Sequence, residues 1–236
     1  MPNSLSEKNQ VVADEKKIAQ LSRRRFLGYA GAATGLMAVA AACSPDKAMP
    51  GMRTDAGVSL GSGDIGILNY AYALEQLEAA FYTQVMMSKY SGMNASETAL
   101  ITDVRDHEIA HREFFKKALG SAAIGAIEVN FEKIDFGSRD SVLNTAKAFE
   151  DLGVSAYNGA GRLIVSADYL VLAGKIVSVE ARHAAYFRDL IMNGSFADST
   201  VVDAMGLDVA RKPMEVLAIA SAYLKTPIDA SQLPTY

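Results

Sequence analysis

Two stretches of the chain, Glu108-Ile-Ala-His111-Arg-Glu-Phe-Phe115 and Glu180-Ala-Arg-His183-Ala-Ala-Tyr-Phe187, share the pattern Glu-x-x-His-x-x-aromatic-Phe. Residues three apart stand on one face of a helix, so each Glu–His pair addresses a single point inside a helical assembly. The chain has 3 His and 12 Glu among 236 residues. Two of the three His acquiring a Glu three positions earlier by chance is about a one-in-a-hundred event. Surface pairs on two amphipathic helices would not explain the repeated aromatic pair that follows each motif.

Two other segments offer matching partners. Tyr82 follows Glu75 by seven residues, and Tyr157 follows Glu150 by seven. Seven residues is nearly two helical turns, so each Glu and Tyr share a face. Each half of the chain thus reads Glu-x6-Tyr and then Glu-x-x-His, with Glu-to-Glu spacings of 33 and 30 residues. The pattern predicts a duplicated helix pair related by a pseudo-two-fold axis.

The remaining periodicity fits this plan. Asp64 reads as the N-cap of a helix to about Ser88, with Leu68, Tyr72, Leu77, Phe81 and Val85 at helical spacing. A second helix runs from about Ser96 to Leu119 and stops at Gly120. Residues 121–139 change character and read as a long crossover. Ser141 reads as the cap of a third helix, to about Gly161, and Ser166 as the cap of a fourth, to about Asn193-Gly194. Pro213 opens a short helix to about Leu224. The expected fold is all-α: a four-helix bundle over 64–194 with a long crossover between its second and third helices, and a C-terminal extension, 195–236, packing on it.

The first 43 residues read as an address. They carry six Lys/Arg against three Asp/Glu, a net of +3, which leaves −7 of the chain's −4 for the remainder. Ser22-Arg23-Arg24-Arg25-Phe26-Leu27 precedes an Ala- and Gly-rich apolar run that ends Ala40-Ala41-Ala42-Cys43. A basic region, an apolar region and a small-residue end describe a secretory signal, and the run is poor as a membrane span. The paired arginines resemble the twin-arginine export signal, whose pathway carries folded cargo. Cys43 resembles the lipid-accepting Cys of bacterial lipoproteins, although Ala40 stands where that pattern prefers Leu, so plain cleavage after Ala42 stays open. Export to the periplasm or cell envelope, with a membrane anchor on Cys43, is the expectation. Residues 44–63, with Pro45, Pro50, Gly51, Gly57, Gly61 and Gly63, read as a flexible spacer.

Composition narrows the chemistry. One Cys excludes an intramolecular disulfide and any multi-Cys metal site, and an acidic body without a Lys/Arg-rich run argues against a nucleic-acid partner. Two divalent ions in a dry core need compensating charge, which four carboxylates supply while one imidazole per ion completes the set. Carboxylates with one His each suit iron or manganese better than copper, zinc or an iron–sulfur cluster.

One Glu from each of two helices, with Glu-x-x-His from each of the other two, resembles the di-iron and di-manganese proteins of the ferritin-like superfamily. Leu74-Glu-Gln-Leu-Glu-Ala-Ala-Phe-Tyr82, Gly153-Val-Ser-Ala-Tyr157 and Ser178-Val-Glu-Ala-Arg-His-Ala-Ala-Tyr186 are similar to the branch containing desiccation-related proteins. The likeness implies two Fe or Mn ions per chain, held by Glu75, Glu108, His111, Glu150, Glu180 and His183. A homodimer is consistent with it.

Several residues have competing readings. Glu78 shares a face with Glu75, and Asp151 adjoins Glu150; the Tyr spacing selects Glu75 and Glu150. Tyr82 and Tyr157 are either plain core aromatics or hydrogen-bond donors to ligand carboxylates. His107 lies about 100° around the helix from Glu108, which suits a surface or supporting role better than ligation. Three functions are open: an envelope di-metal oxidoreductase using O2 or peroxide, akin to a di-iron oxidase or peroxidase or a di-manganese catalase; metal binding without turnover; and a structural stress protein.

Overall fold

The computed structural model describes residues 57–236. The leader, Cys43 and the spacer up to residue 56 lie outside the described residues. Among the described residues five α-helices dominate: α1 (Gly63–Met87), α2 (Ala95–Leu119), α3 (Arg139–Gly161), α4 (Ala167–Ile191) and the short α5 (Pro213–Ala220). Short turns join α1 to α2 and α3 to α4, and each pair packs along its length as a helical hairpin. The two hairpins meet mainly through α1 and α3. No described helix is long and apolar enough to cross a membrane.

The helices differ in how far they are enclosed. Of the 25 residues of α1, 17 are buried, against six of the 25 in α2. α1 is covered on its outer side as well, because the crossover 120–138 and the C-terminal residues run over it. Asn69 and Gln76, seven residues apart on α1, pin that crossover. Asn69 Nδ2 donates to Ala122 O at 3.0 Å and Asn69 Oδ1 accepts from Ile124 N at 3.0 Å. Gln76 Oε1 accepts from Ile127 N at 3.0 Å. Phe131 and Phe136 then pack edge-on or tilted against Phe81. Asn69 and Gln76 are themselves buried, and their amides are satisfied by the backbone of the crossover that they hold against α1.

Helix starts show where the local reading needs correcting. α1 begins two residues earlier than expected: its N-cap is Ser62, not Asp64. The Asp64 carboxylate is used across the bundle: it accepts from Val165 N and Ser166 N, both at 2.8 Å, at the entry to α4. α3 is capped by Ser138, whose hydroxyl accepts from Ser141 N, so Ser141 is already inside the helix. Ser166 caps α4 through Tyr169 N, and Asn94 forms a reciprocal capping box with Glu97 on α2. α5 is shorter than expected and ends in a 3₁₀ turn, Ser221–Tyr223.

The described end of the spacer is part of the fold rather than a flexible link. Strand β1 (Val58–Ser59) pairs in parallel with β2 (Ile228–Asp229), and Leu60 is fully buried. Residues 195–236 return along α3, where Arg211 N donates to Ser155 O at 3.0 Å. At Gly159 the Arg211 carbonyl lies where a Cβ would stand, so only glycine admits this close approach. Tyr223 packs edge-on against Phe149 at 4.7 Å between ring centroids.

Candidate metal centre

The four long helices bring six ionisable side chains to one place in the core. Glu75 comes from α1, Glu150 from α3, Glu108 and His111 from α2, and Glu180 and His183 from α4. Glu75, Glu108 and Glu150 are completely buried and Glu180 is 1% exposed. Four burials of this kind are unusual, since an unpaired carboxylate in a dry core is strongly disfavoured.

The six residues form two overlapping groups of four: Glu75, Glu108, His111 and Glu180, and Glu108, Glu150, Glu180 and His183. Within each group one donor atom per residue lies within 4.8 Å of all the others. Glu108 and Glu180 belong to both groups. The two halves mirror one another in detail. His111 Nδ1 stands 2.8 Å from Glu180 and 3.5 Å from both Glu75 and Glu108. His183 Nδ1 stands 2.9 Å from Glu108, 3.3 Å from Glu150 and 3.5 Å from Glu180. Each imidazole is thus closest to the motif carboxylate of the opposite half.

The tyrosines complete the symmetry. Tyr82 donates to Glu150 Oε1 and Tyr157 donates to Glu75 Oε1, so each reaches across to the other hairpin. This leaves Oε2 of Glu75 and of Glu150 turned to the centre. Among the described residues ten buried side-chain atoms have no aligned hydrogen-bond partner, and eight of them belong here. They are Oε2 of Glu75 and Glu150, both oxygens of Glu108 and Glu180, and Nδ1 of His111 and His183. The short His–carboxylate distances are therefore charge contacts without hydrogen-bond alignment. Eight inward donors divide four and four between the two groups, with Glu108 and Glu180 giving one oxygen to each.

Charge in the metal-free site follows from burial. Burial pushes Glu75 well above the usual carboxylate range, helped by neighbouring Glu180, and pushes Glu150 up to about 8. Glu108 is also buried, but its two imidazole neighbours outweigh that and hold it at about 2. Burial alone would depress both imidazoles; the surrounding carboxylates instead raise each to about 12. Protons on the imidazoles and on Glu75 and Glu150 stand in for missing positive charge.

Residues on the margins sort by geometry. Asp151 lies off the site, in a two-pronged pair with Arg188 at 2.7 and 2.8 Å, and Asp198 joins the same guanidinium at 3.2 Å. Glu78 is buried but belongs to neither group. Its counterpart under the duplication is Gly153, where a Cβ would stand 3.1 Å from Glu78 Oε1. His107 is exposed, yet its Nδ1 lies 2.9 Å from His183 Nε2. The sequence did not point to that pairing, because it joins residues from opposite hairpins.

A family model described as a ferritin-like domain matches residues 63–193, more than half of the chain and all four long helices. The chain belongs to the ferritin-like family. No curated protein matches it. The ferritin-like bundle and its two acid–His groups are compatible with a metal site. The donor set passes a direct test of fit: eight orphaned buried donors converge, with no thiolate among them.

Proposed function

We propose that this ferritin-like chain is exported to the cell envelope, holds a dinuclear iron or manganese centre, and reacts there with O2 or peroxide. The observation that carries the reading is the sharing of Glu108 and Glu180 between two complete donor groups. A mononuclear site has no use for a second imidazole and a second terminal carboxylate on the far side of the same two glutamates. Glu75 and His111 would hold one ion, Glu150 and His183 the other, and Glu108 and Glu180 both. Two adjacent reducible ions supply Lewis acidity and a two-electron reservoir.

The protein's own part is to hold, orient and exclude. Four carboxylates neutralise two divalent ions, so the loaded core carries no net charge from this set. Tyr82 and Tyr157 fix the terminal carboxylates through Oε1 and keep Oε2 inward. Burial raises both phenols well above their ordinary range, so they remain hydrogen-bond donors at any physiological pH. Phe187 stacks on Tyr82 and Phe115 on Tyr157, which holds each phenol in place beside its carboxylate.

Export rests on Ser22–Leu27 and the Ala-rich run into Cys43, and anchoring on Cys43 itself. A route that carries folded protein suits a site whose ligands come from four helices and exist only after folding. The test is metal analysis of the protein taken from its native compartment, followed by rapid mixing of the loaded protein with each oxidant. Two ions per chain and oxidant consumption above the metal-only control support the proposal. Two ions without turnover reduce it to metal binding, and no metal removes it.

A further inference from the structure

The duplicated halves mirror one another at eight donor atoms but not behind the imidazoles. His183 Nε2, the nitrogen turned away from the carboxylates, lies 2.9 Å from His107 Nδ1, with the two rings nearly parallel at 5.2 Å between centroids. His111 has no equivalent: among the described residues no side chain or backbone group hydrogen-bonds its outer nitrogen. The duplication that sets Glu108 against Glu180 sets His107 against Val179, which has no polar atom to offer.

We infer that His107 is a positioning residue that makes the two metal positions unequal, holding His183 in the ring orientation and tautomer its position requires. The inference rests on the metal reading above. An imidazole binds a metal through a nitrogen free of hydrogen, so the ring must carry its proton on the other nitrogen. For His183, whose Nδ1 faces the carboxylates, the proton belongs on Nε2. His107 Nδ1 accepts that proton's hydrogen bond while its own proton sits on Nε2, toward solvent. A partner on the outer nitrogen fixes both the tautomer and the ring plane of a metal-binding histidine. His111 must adopt the same state unaided. The Glu150/His183 position is therefore the tighter, first-filled one, and the Glu75/His111 position the more exchangeable.

His107 is exposed and lies outside the hydrophobic core, so its replacement spares the fold. The full-length protein is titrated with Co(II), followed by its visible absorption, and with Mn(II), followed by the loss of its free-ion magnetic resonance signal. Wild type shows two binding steps. His107→Ala weakens the tighter step by about 10–100-fold, the range for losing such a partner, and leaves the weaker step unchanged. His107→Gln, whose amide oxygen accepts the same hydrogen bond, restores most of the loss; a merely structural effect would not distinguish Ala from Gln. Two unchanged steps in His107→Ala, or equal weakening of both, overturn the inference and leave the two-ion reading intact. A wild-type protein that takes up no ion overturns both.

Discussion

Tyr82 on α1 donates its hydroxyl to Glu150 on α3, a carboxylate from the other half of the duplicated sequence. Tyr157 returns the same contact to Glu75. The two hairpins are thus stitched by reciprocal hydrogen bonds that also aim two inward oxygens. Replacing either tyrosine with Phe removes a donor to a buried carboxylate and frees that group to rotate. Stability of the metal-free protein should fall by about 1–3 kcal/mol for each variant. Both variants should still bind two ions, with affinity or activity reduced by about 10-fold or more. Chemical unfolding and metal titration of Tyr82→Phe and Tyr157→Phe check this; full loss of binding would mean that the phenols are ligands themselves.

Metal uptake should expel protons. At neutral pH the imidazoles of His111 and His183, raised to about 12, are charged, and Glu150, raised to about 8, and Glu75 hold their protons. Two ions replace these with release of about four protons per chain. Affinity should therefore climb with pH and vanish in mild acid. Calorimetry in buffers of different ionisation enthalpy reads the proton count. Glu108→Ala or Glu180→Ala should impair both positions, whereas Glu75→Ala or Glu150→Ala should impair one. A saturated protein that takes up one ion or none contradicts this.

Glu78 gives a prediction with a defined sign. Burial, reinforced by the surrounding glutamates, holds its pKa well above the ordinary value of 4.5. Between 4.5 and that raised value the folded protein keeps a proton that the unfolded chain releases. Folding stability then falls as pH rises through this window, by up to about 1.4 kcal/mol per pH unit for one group. Glu78→Gln removes that slope. The metal-free variant should match wild type near pH 4 and exceed it at pH 7–8, as read by thermal unfolding. Gly153→Ala, which puts a methyl 3.1 Å from Glu78 Oε1, should destabilise by a smaller amount. Equal pH slopes in wild type and Glu78→Gln would show that Glu78 ionises freely.

The helices and the six clustered residues were legible because both follow from spacing along one helix. Glu75 and Glu150 stood out from Glu78 and Asp151 by the seven-residue step to a tyrosine, and the structure places one of the first two in each donor group and the others in neither. What was not legible is contact between distant segments. Asp64 looks like a cap by local pattern, yet its carboxylate is spent on the start of α4, a hundred residues on. The glycines at 57, 61 and 63 suggest a loose link, but strand pairing between residues 58–59 and 228–229 depends on where the chain's far end returns. Likewise nothing in Asp106-His107-Glu108 announces that the middle residue meets His183.

The export proposal has its own test. Arg23→Lys with Arg24→Lys should leave precursor in the cytoplasm, read by cell fractionation, and unchanged envelope localisation would remove the twin-arginine assignment. Mass spectrometry of the mature N-terminus should find an acylated Cys43. A mature chain beginning at an unmodified Cys43 would favour plain cleavage.

The reaction is the last prediction. On the proposed reading, two ions held by Glu75, Glu108, His111, Glu150, Glu180 and His183 would supply two-electron chemistry toward one oxidant. Glu108 and Glu180 belong to both donor groups and would be common to both ions, while Glu75 and Glu150 would each complete one position. The Fe(II)-loaded protein should therefore consume O2 or peroxide at least about 10-fold faster than free Fe(II), and Glu75→Ala or Glu150→Ala should remove most of that advantage, since losing one position leaves a single-electron donor. With manganese the expected outcome differs: peroxide disproportionation with negligible O2 uptake, because Mn(II) in an oxygen-rich donor set is reluctant to give electrons to O2. Stopped-flow mixing of each loaded form with each oxidant decides between them. A rate equal to the metal-only control for both metals would leave a ferritin-like protein that holds its ions without turning anything over.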